Sequence, residues 1–192
     1  TVLDPIVTLH SAPDAETGKA LAELAEAIFM SFPKAEAPLP LPDKGAVDPT
    51  AFHAFSYGLF VLSSRLDGRD YGCIVNTAQQ LTSDRITVAV NKQNYTNEII
   101  KKSGVFAVSI LKESAPCDVF RRFGFQSGRD TDKWAGLAEA RTADGIRYLA
   151  EEANAVLSAR VVDARDYGTH TIFVGEVTEA RRLSKEPSIT YT

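Results

Sequence analysis

Gly72-Cys-Ile-Val-Asn-Thr-Ala-Gln-Gln-Leu-Thr-Ser83, followed by Asp84 and the run Arg85-Ile-Thr-Val-Ala-Val-Asn-Lys92, decides the fold. In the second run Ile86, Val88 and Val90 alternate with Thr87, Ala89 and Asn91, the period-two pattern of a half-buried strand. Residues 71–77 read as an earlier strand, so a dense polar cluster sits between two apolar ones. Residues 94–103 then read as a helix closed by Gly104, with Lys101 and Lys102 in the last turn where the helix dipole favours cations. Residues 105–111 are apolar on both faces, which predicts a central strand.

The flanks extend the same grammar. Asp48-Pro49 is a cap followed by a first-turn proline, opening a short helix over 50–55. Residues 57–63 form an apolar strand that turns through Arg65-Leu-Asp-Gly-Arg69 into the 71–77 strand as a hairpin. Downstream, 116–123 reads as a helix, 130–134 as a short helical segment and 136–145 as loop. Two strands, 156–162 and 169–177, are joined by a turn near Asp166-Tyr-Gly168, and Gly175 inside the last strand marks a bulge or a close backbone approach. Strands linked as hairpins with few helices predict a mainly β fold, an antiparallel barrel-like sheet rather than alternating βαβ units.

A chain of 192 residues with 44% hydrophobic and 24% charged residues suits one core-bearing domain plus an appendage. The net charge of -4, with bases scattered among acids, gives no footprint for nucleic acid. No apolar run approaches a membrane span, and the start carries no signal pattern. Two cysteines, Cys73 and Cys117, make no disulfide framework or metal cluster, which fits a reducing cytoplasm. In residues 1–32, a short strand precedes a helix with Leu21, Leu24, Ala25, Ile28 and Phe32 at helical spacing. Residues 33–48 read as a proline-rich linker, and 49–192 as the main domain.

Several residues could carry chemistry. Thr77, Gln79, Gln80, Thr82 and Ser83 can hydrogen-bond the edge of a flat polar ring, although a solvated loop is the commoner reading of such a segment alone. Asn94-Tyr-Thr-Asn97 opens a helix whose N–H groups, with the Thr96 hydroxyl and Lys92 nearby, can hold an anion; an ordinary helix cap is the bland alternative. Ser127-Gly-Arg-Asp130 with Lys133 is a glycine turn carrying two cations, suited to a phosphate and equally to surface ion pairs. His170 is a lone histidine at a strand start, more often structural than catalytic. Cys73 reads as a packed small hydrophobe.

Taken in order, residues 72–83, 91–96, 123–133 and 169–177 resemble the flavin reductase-like family of FMN-binding split barrels, nearest the flavoredoxin and high-molecular-weight rubredoxin branch. The likeness runs from about residue 54 to the C-terminus, whose Pro187-Ser-Ile-Thr-Tyr191 is similar to the family's closing segment. It implies an antiparallel FMN-binding split β-barrel with short flanking helices, plus the N-terminal helical appendage. It also implies that Asn76, Thr77, Gln80, Thr82 and Ser83 surround the isoalloxazine and ribityl chain. Asn91, Lys92, Tyr95 and Thr96 would hold the phosphate end; Ser127, Gly128, Arg129 and Lys133 would complete the site, from the same chain or from the dimer partner; His170, near the flavin or nicotinamide, would be the catalytic residue, positioning substrate. One departure is Asp84-Arg85, where many relatives have Pro-Pro, which is expected to loosen that loop. Trp134 where relatives often carry Phe is milder.

The implied activity is that of an FMN-dependent NAD(P)H oxidoreductase, with NADH or NADPH as substrate. Electrons would pass to a redox partner such as rubredoxin or a diiron flavoprotein, and the protein would pair as a homodimer. Residues 1–32 resemble the end of a flavodoxin-like domain, which would make the chain the C-terminal module of a fused flavodiiron protein. Two alternatives stay open: an FMN electron shuttle without its own NAD(P)H activity, and a non-enzymatic split barrel that binds a ligand.

Overall fold

The computed structural model describes residues 47–191, so the expected strand, helix and linker of residues 1–46 lie outside the described residues. A 3-10 helix at Pro49–Ala54 precedes nine strands and two α-helices. The strands are β1 (Tyr57–Gly58), β2 (Phe60–Leu66), β3 (Arg69–Val75), β4 (Ala78–Gln80), β5 (Arg85–Asn91), β6 (Val105–Leu111), β7 (Ala153–Tyr167), β8 (His170–Arg182) and β9 (Thr190–Tyr191). The helices are α1 (Tyr95–Ser103) and α2 (Cys117–Phe125). Seven strands form one sheet in the order β3-β2-β6-β7-β8-β5-β4, all neighbours antiparallel, while β1 pairs with β9 apart from it.

Chain connectivity shows why this sheet rolls up. Its two edge strands, β3 and β4, are consecutive in sequence and joined only by Asn76 and Thr77. Laid flat, seven strands put the edges roughly 29 Å apart. Three residues of chain, from Val75 to Ala78, reach at most about 11 Å. The sheet must therefore curl until its edges meet, leaving a split between β3 and β5. Near that split the Ala89 N–H donates to the Thr77 carbonyl. Helix α1 bridges it as well: the Asn97 amide donates to the Val90 carbonyl on β5, and Tyr95 meets Tyr71 on β3 edge-on.

The inner core gathers Leu62, Val88, Val90, Ile100, Phe106 and Phe173, all with at most trace exposure. The alternation of β5 appears as buried Ile86, Val88 and Val90 between half-buried neighbours. Strand β6 lies centrally between β2 and β7, as its two apolar faces predict. At Gly175 a Cβ would meet the Phe106 ring at 2.6 Å and the Ala159 Cβ at 2.7 Å, the close approach anticipated there. A second cluster outside the barrel packs α2, through Val119 and Phe123, against Val61, Trp134 and Leu149.

Three local expectations are corrected. Residues 130–134 are turns, with Asp132 accepting from the Trp134 N–H instead of starting a helix. Strands β7 and β8 extend well past 162 and 177: β7 runs on through exposed residues to Tyr167 beside the buried start of β8, and β8 runs on to Arg182 beside the buried start of β7. The loop carrying Asp84-Arg85 is closed and not loose. The Arg85 carbonyl accepts from the N–H groups of Leu81 and Thr82, and the Thr82 hydroxyl donates to Asp84 at 2.7 Å. Among the described residues no helix is long and apolar enough to cross a membrane.

Candidate flavin site

Two clefts flank the strand junction. The first, about 270 Å³, opens at the N-terminus of α1 and is lined by Cys73, Asn94, Tyr95, Thr96, Ser127 and Lys133, with Gly128 and Phe125 at its edge. Asn94 caps α1 in an extended conformation but makes no side-chain capping bond. The N–H groups of Tyr95 and Thr96, at the start of the helix, have no intrahelical partner. A helix start of this kind attracts anions.

Lys133 gives the cleft its charge. Its side chain is buried, only 5% of the residue being exposed. The ammonium donates to the Gly72 carbonyl at 2.9 Å and to the Phe123 carbonyl at 3.3 Å, which leaves one of its three donors over. Among the described residues no carboxylate pairs with it. Burial pushes its pKa below the ordinary lysine value, with the nearby Cys73 acting weakly the other way. A buried cation is normally paired, so an anion in this cleft would balance it. The Cys73 thiol, for its part, is pushed up to about 11 by burial, against the opposing bond from Thr96. It is a packed, protonated thiol, no nucleophile at neutral pH.

Around the cleft mouth aromatic rings and cations alternate. Arg129 lies 4.0 Å over the Tyr95 ring, Tyr95 meets Tyr71 edge-on with centroids 5.4 Å apart, and Arg69 lies 5.1 Å from the Tyr71 ring. Arg69 also donates to the Gly128 carbonyl at 3.0 Å, pinning the glycine turn to β3.

The second cleft, about 370 Å³, has an apolar floor that includes Phe60, Val108, Leu157 and Val177, and a polar rim of Gln80, Thr82, Ser83 and Arg85. An apolar surface with a few polar groups at its edge suits a flat amphipathic ring. Cys73 lines the first cleft and Ala78 the second, so their Cα atoms are at most about 18 Å apart along the chain, with Asn76 and Thr77 between them.

The sequence-predicted residues therefore fall into groups. Tyr95, Thr96, Ser127, Gly128 and Lys133 come together in the first cleft; Gln80, Thr82 and Ser83 come together in the second. Asn76 and Thr77 line neither but join the two, the Thr77 hydroxyl donating to the Asn76 side-chain oxygen. Four others line neither cleft, although Arg129 stands at the mouth of the first. Lys92 pairs with Asp166 at 3.3 Å, a carboxylate that also holds Lys101 at 2.9 Å. Asn91 accepts from the Gln93 N–H, and Arg129 is engaged by Glu98. His170 is half-buried, its Nδ1 2.9 Å from the Thr169 hydroxyl.

Sequence reasoning missed three contributors. Asp166 read only as a turn residue, yet it organises two lysines; the Thr171 hydroxyl, then Lys101, holds its carboxyl well below the usual range. Glu98 carried no local signal, since its partner Arg129 arrives from a distant segment, and Phe125 carried none because only the folded chain sets it on the cleft wall.

Comparison with known proteins places the chain in a family. The model of the flavin reductase like domain matches residues 52–191. A ferric-chelate reductase (NAD(P)H) from Archaeoglobus fulgidus is 40% identical over 147 residues, which cover 76% of this chain and 87% of that protein. A high molecular weight rubredoxin from Moorella thermoacetica is also 40% identical over 147 residues, covering 76% of this chain and 64% of its own length. The fold is shared with the NADH:FAD oxidoreductase of Streptomyces globisporus C-1027, at a TM-score of 0.68 and 22% identity over 82% of this chain and 95% of that one. On the strength of the matched domain and of relatives at this identity, the chain belongs to the flavin reductase-like family.

Proposed function

We propose that the chain is an FMN-dependent NAD(P)H:flavin oxidoreductase, passing electrons from a nicotinamide nucleotide through bound FMN to a redox partner such as rubredoxin or a diiron flavoprotein. The observation that carries this reading is Lys133, a buried ammonium facing a cleft, with no carboxylate among the described residues to balance it. A phosphate monoester supplies the missing charge, and the open α1 N-terminus and the Ser127 hydroxyl supply further donors. The donor set fits the phosphate tail of FMN.

FMN supplies the hydride-accepting and electron-releasing chemistry when bound. The residues of this chain bind and orient it. Lys133, Thr96 and Ser127 hold the phosphate. The Asn76–Thr77 junction is the path between the clefts, and the Gln80, Thr82 and Ser83 rim offers donors and acceptors to the ring's polar edge. Donors placed where negative charge gathers on the ring favour its reduced form. The Asp84-closed turn holds that rim in place. Each cleft alone is at or below the small end of the roughly 300–1,000 Å³ range typical of ligand sites. That size supports a homodimer in which a second copy completes the enclosure.

The names of the two relatives at 40% identity support the NAD(P)H and rubredoxin parts of the reading. The test is anaerobic titration of the FMN-loaded protein with NADH and NADPH, followed at the visible flavin band. The reading predicts bleaching by at least one of them. Bound FMN that neither nucleotide bleaches would make the chain an electron shuttle. A protein that takes up no FMN would overturn the flavin assignment.

A further inference from the structure

Phe125 stands out against the helix that carries it. The buried face of α2 is set by Val119 and Phe123. Two residues on from Phe123 is about 200° around the helix, so position 125 belongs to the polar side. Yet it carries a phenyl ring that is 86% exposed and that lines the Lys133 cleft. Beside it on the same cleft wall is Gln126, whose side-chain amide makes no hydrogen bond within the described residues. An exposed aromatic face next to an uncommitted carboxamide, at the mouth of an anion-binding cleft, is what a purine needs. Any base can stack on a phenyl ring, and a glutamine amide matches the donor and acceptor pair of an adenine edge.

We propose that Phe125 is a specificity-determining residue that stacks the adenine ring of an adenine dinucleotide bound at the Lys133 cleft, with Gln126 reading the adenine edge. The proposal rests on the reading of that cleft as the site of a nucleotide phosphate. The adenine can belong to a flavin dinucleotide or to the nicotinamide dinucleotide, and the two sources are separated by experiment.

The test compares the parent protein with Phe125→Ser and Phe125→Trp in two arms. The first measures dissociation constants for FMN and FAD by flavin fluorescence. The second measures KM for NADH and for reduced nicotinamide mononucleotide, which lacks adenine, at saturating FMN. Phe125→Ser weakens FAD about tenfold relative to FMN if the flavin brings the adenine, or raises KM for NADH about tenfold, but not that for the mononucleotide, if the nicotinamide does. Phe125→Trp retains parental behaviour in the arm that responds. Unchanged values in both arms overturn the proposal, as does an equal loss for FMN and FAD with no change for NADH. A parent protein that binds neither flavin overturns the nucleotide reading of the cleft together with the stacking role. FMN binding with no response to Phe125→Ser overturns the stacking role alone.

Discussion

The Asn97 side-chain amide donates to the Val90 carbonyl at 3.0 Å, and this buried bond ties the first turn of α1 to β5 across the split of the barrel. The Asn97 side-chain oxygen in turn faces the Thr171 hydroxyl at 3.4 Å. The bond therefore links fold to site, since the helix start it anchors is the one that opens on the Lys133 cleft. Asn97→Ala leaves the Val90 carbonyl buried without this donor and is expected to cost roughly 1–3 kcal/mol of stability. It should also weaken FMN binding. Denaturant melts and a flavin titration on the same variant check both.

Gly175 is a packing prediction. Any Cβ there collides with the buried Phe106 ring and with Ala159, and neither can retreat within a filled barrel. Gly175→Ala is expected to lose roughly 1–3 kcal/mol by overpacking, read as a lower urea midpoint. A midpoint equal to the parent's would mean that the barrel interior yields at no cost.

The two cysteines should differ sharply toward alkylation. With its pKa near 11, Cys73 holds about one thiolate in a thousand at pH 8, and it is buried besides. Cys117 is exposed. Iodoacetamide is expected to label the native chain once, at Cys117, and the denatured chain twice. Mass spectrometry after brief labelling reads this directly, and rapid labelling of native Cys73 would contradict its packed, protonated assignment.

Acid stability should depend on Asp144. The Thr178 hydroxyl, followed by Arg160 at 2.8 Å, holds its carboxyl below the ordinary value, and Ser158 adds a weaker bond. A carboxyl with a depressed folded-state pKa stabilises the fold above its unfolded value and loses that contribution as pH falls through the folded one. Asp144→Asn should therefore lower the urea midpoint at pH 7. The difference from the parent should close as pH drops below about 3.9. A gap that persists undiminished into acid would assign the loss to shape, not charge.

Much of the barrel was legible because its central strands alternate cleanly: Ile86, Val88 and Val90 announce the inner face of β5 without any tertiary information. The ends of β7 and β8 were not, since Asp163 and Arg165 at the end of one strand, and Glu179 and Arg181 at the end of the other, break the apolar alternation. The site divides the same way. Thr96, Ser127 and Lys133 could be singled out because helix starts and glycine turns bind anions by local geometry. The direction of a long cation could not. Lys92 and Arg129 look like phosphate ligands in sequence, but each turns to the nearest carboxylate, Asp166 or Glu98, which only the folded chain brings alongside. Lys133 differs because burial denies it such a partner, a property invisible in the sequence.

The most direct measurement compares dissociation constants for FMN and riboflavin, which differ only in the phosphate, in the parent and in Lys133→Met. The parent should bind FMN far more tightly than riboflavin. Lys133→Met should cut FMN affinity about 100-fold while changing riboflavin affinity little, the loss typical of a buried charge pair broken at one partner. If the parent shows no preference for FMN, or if Lys133→Met weakens both flavins alike, the ammonium does not receive the phosphate and the account of the cleft is wrong.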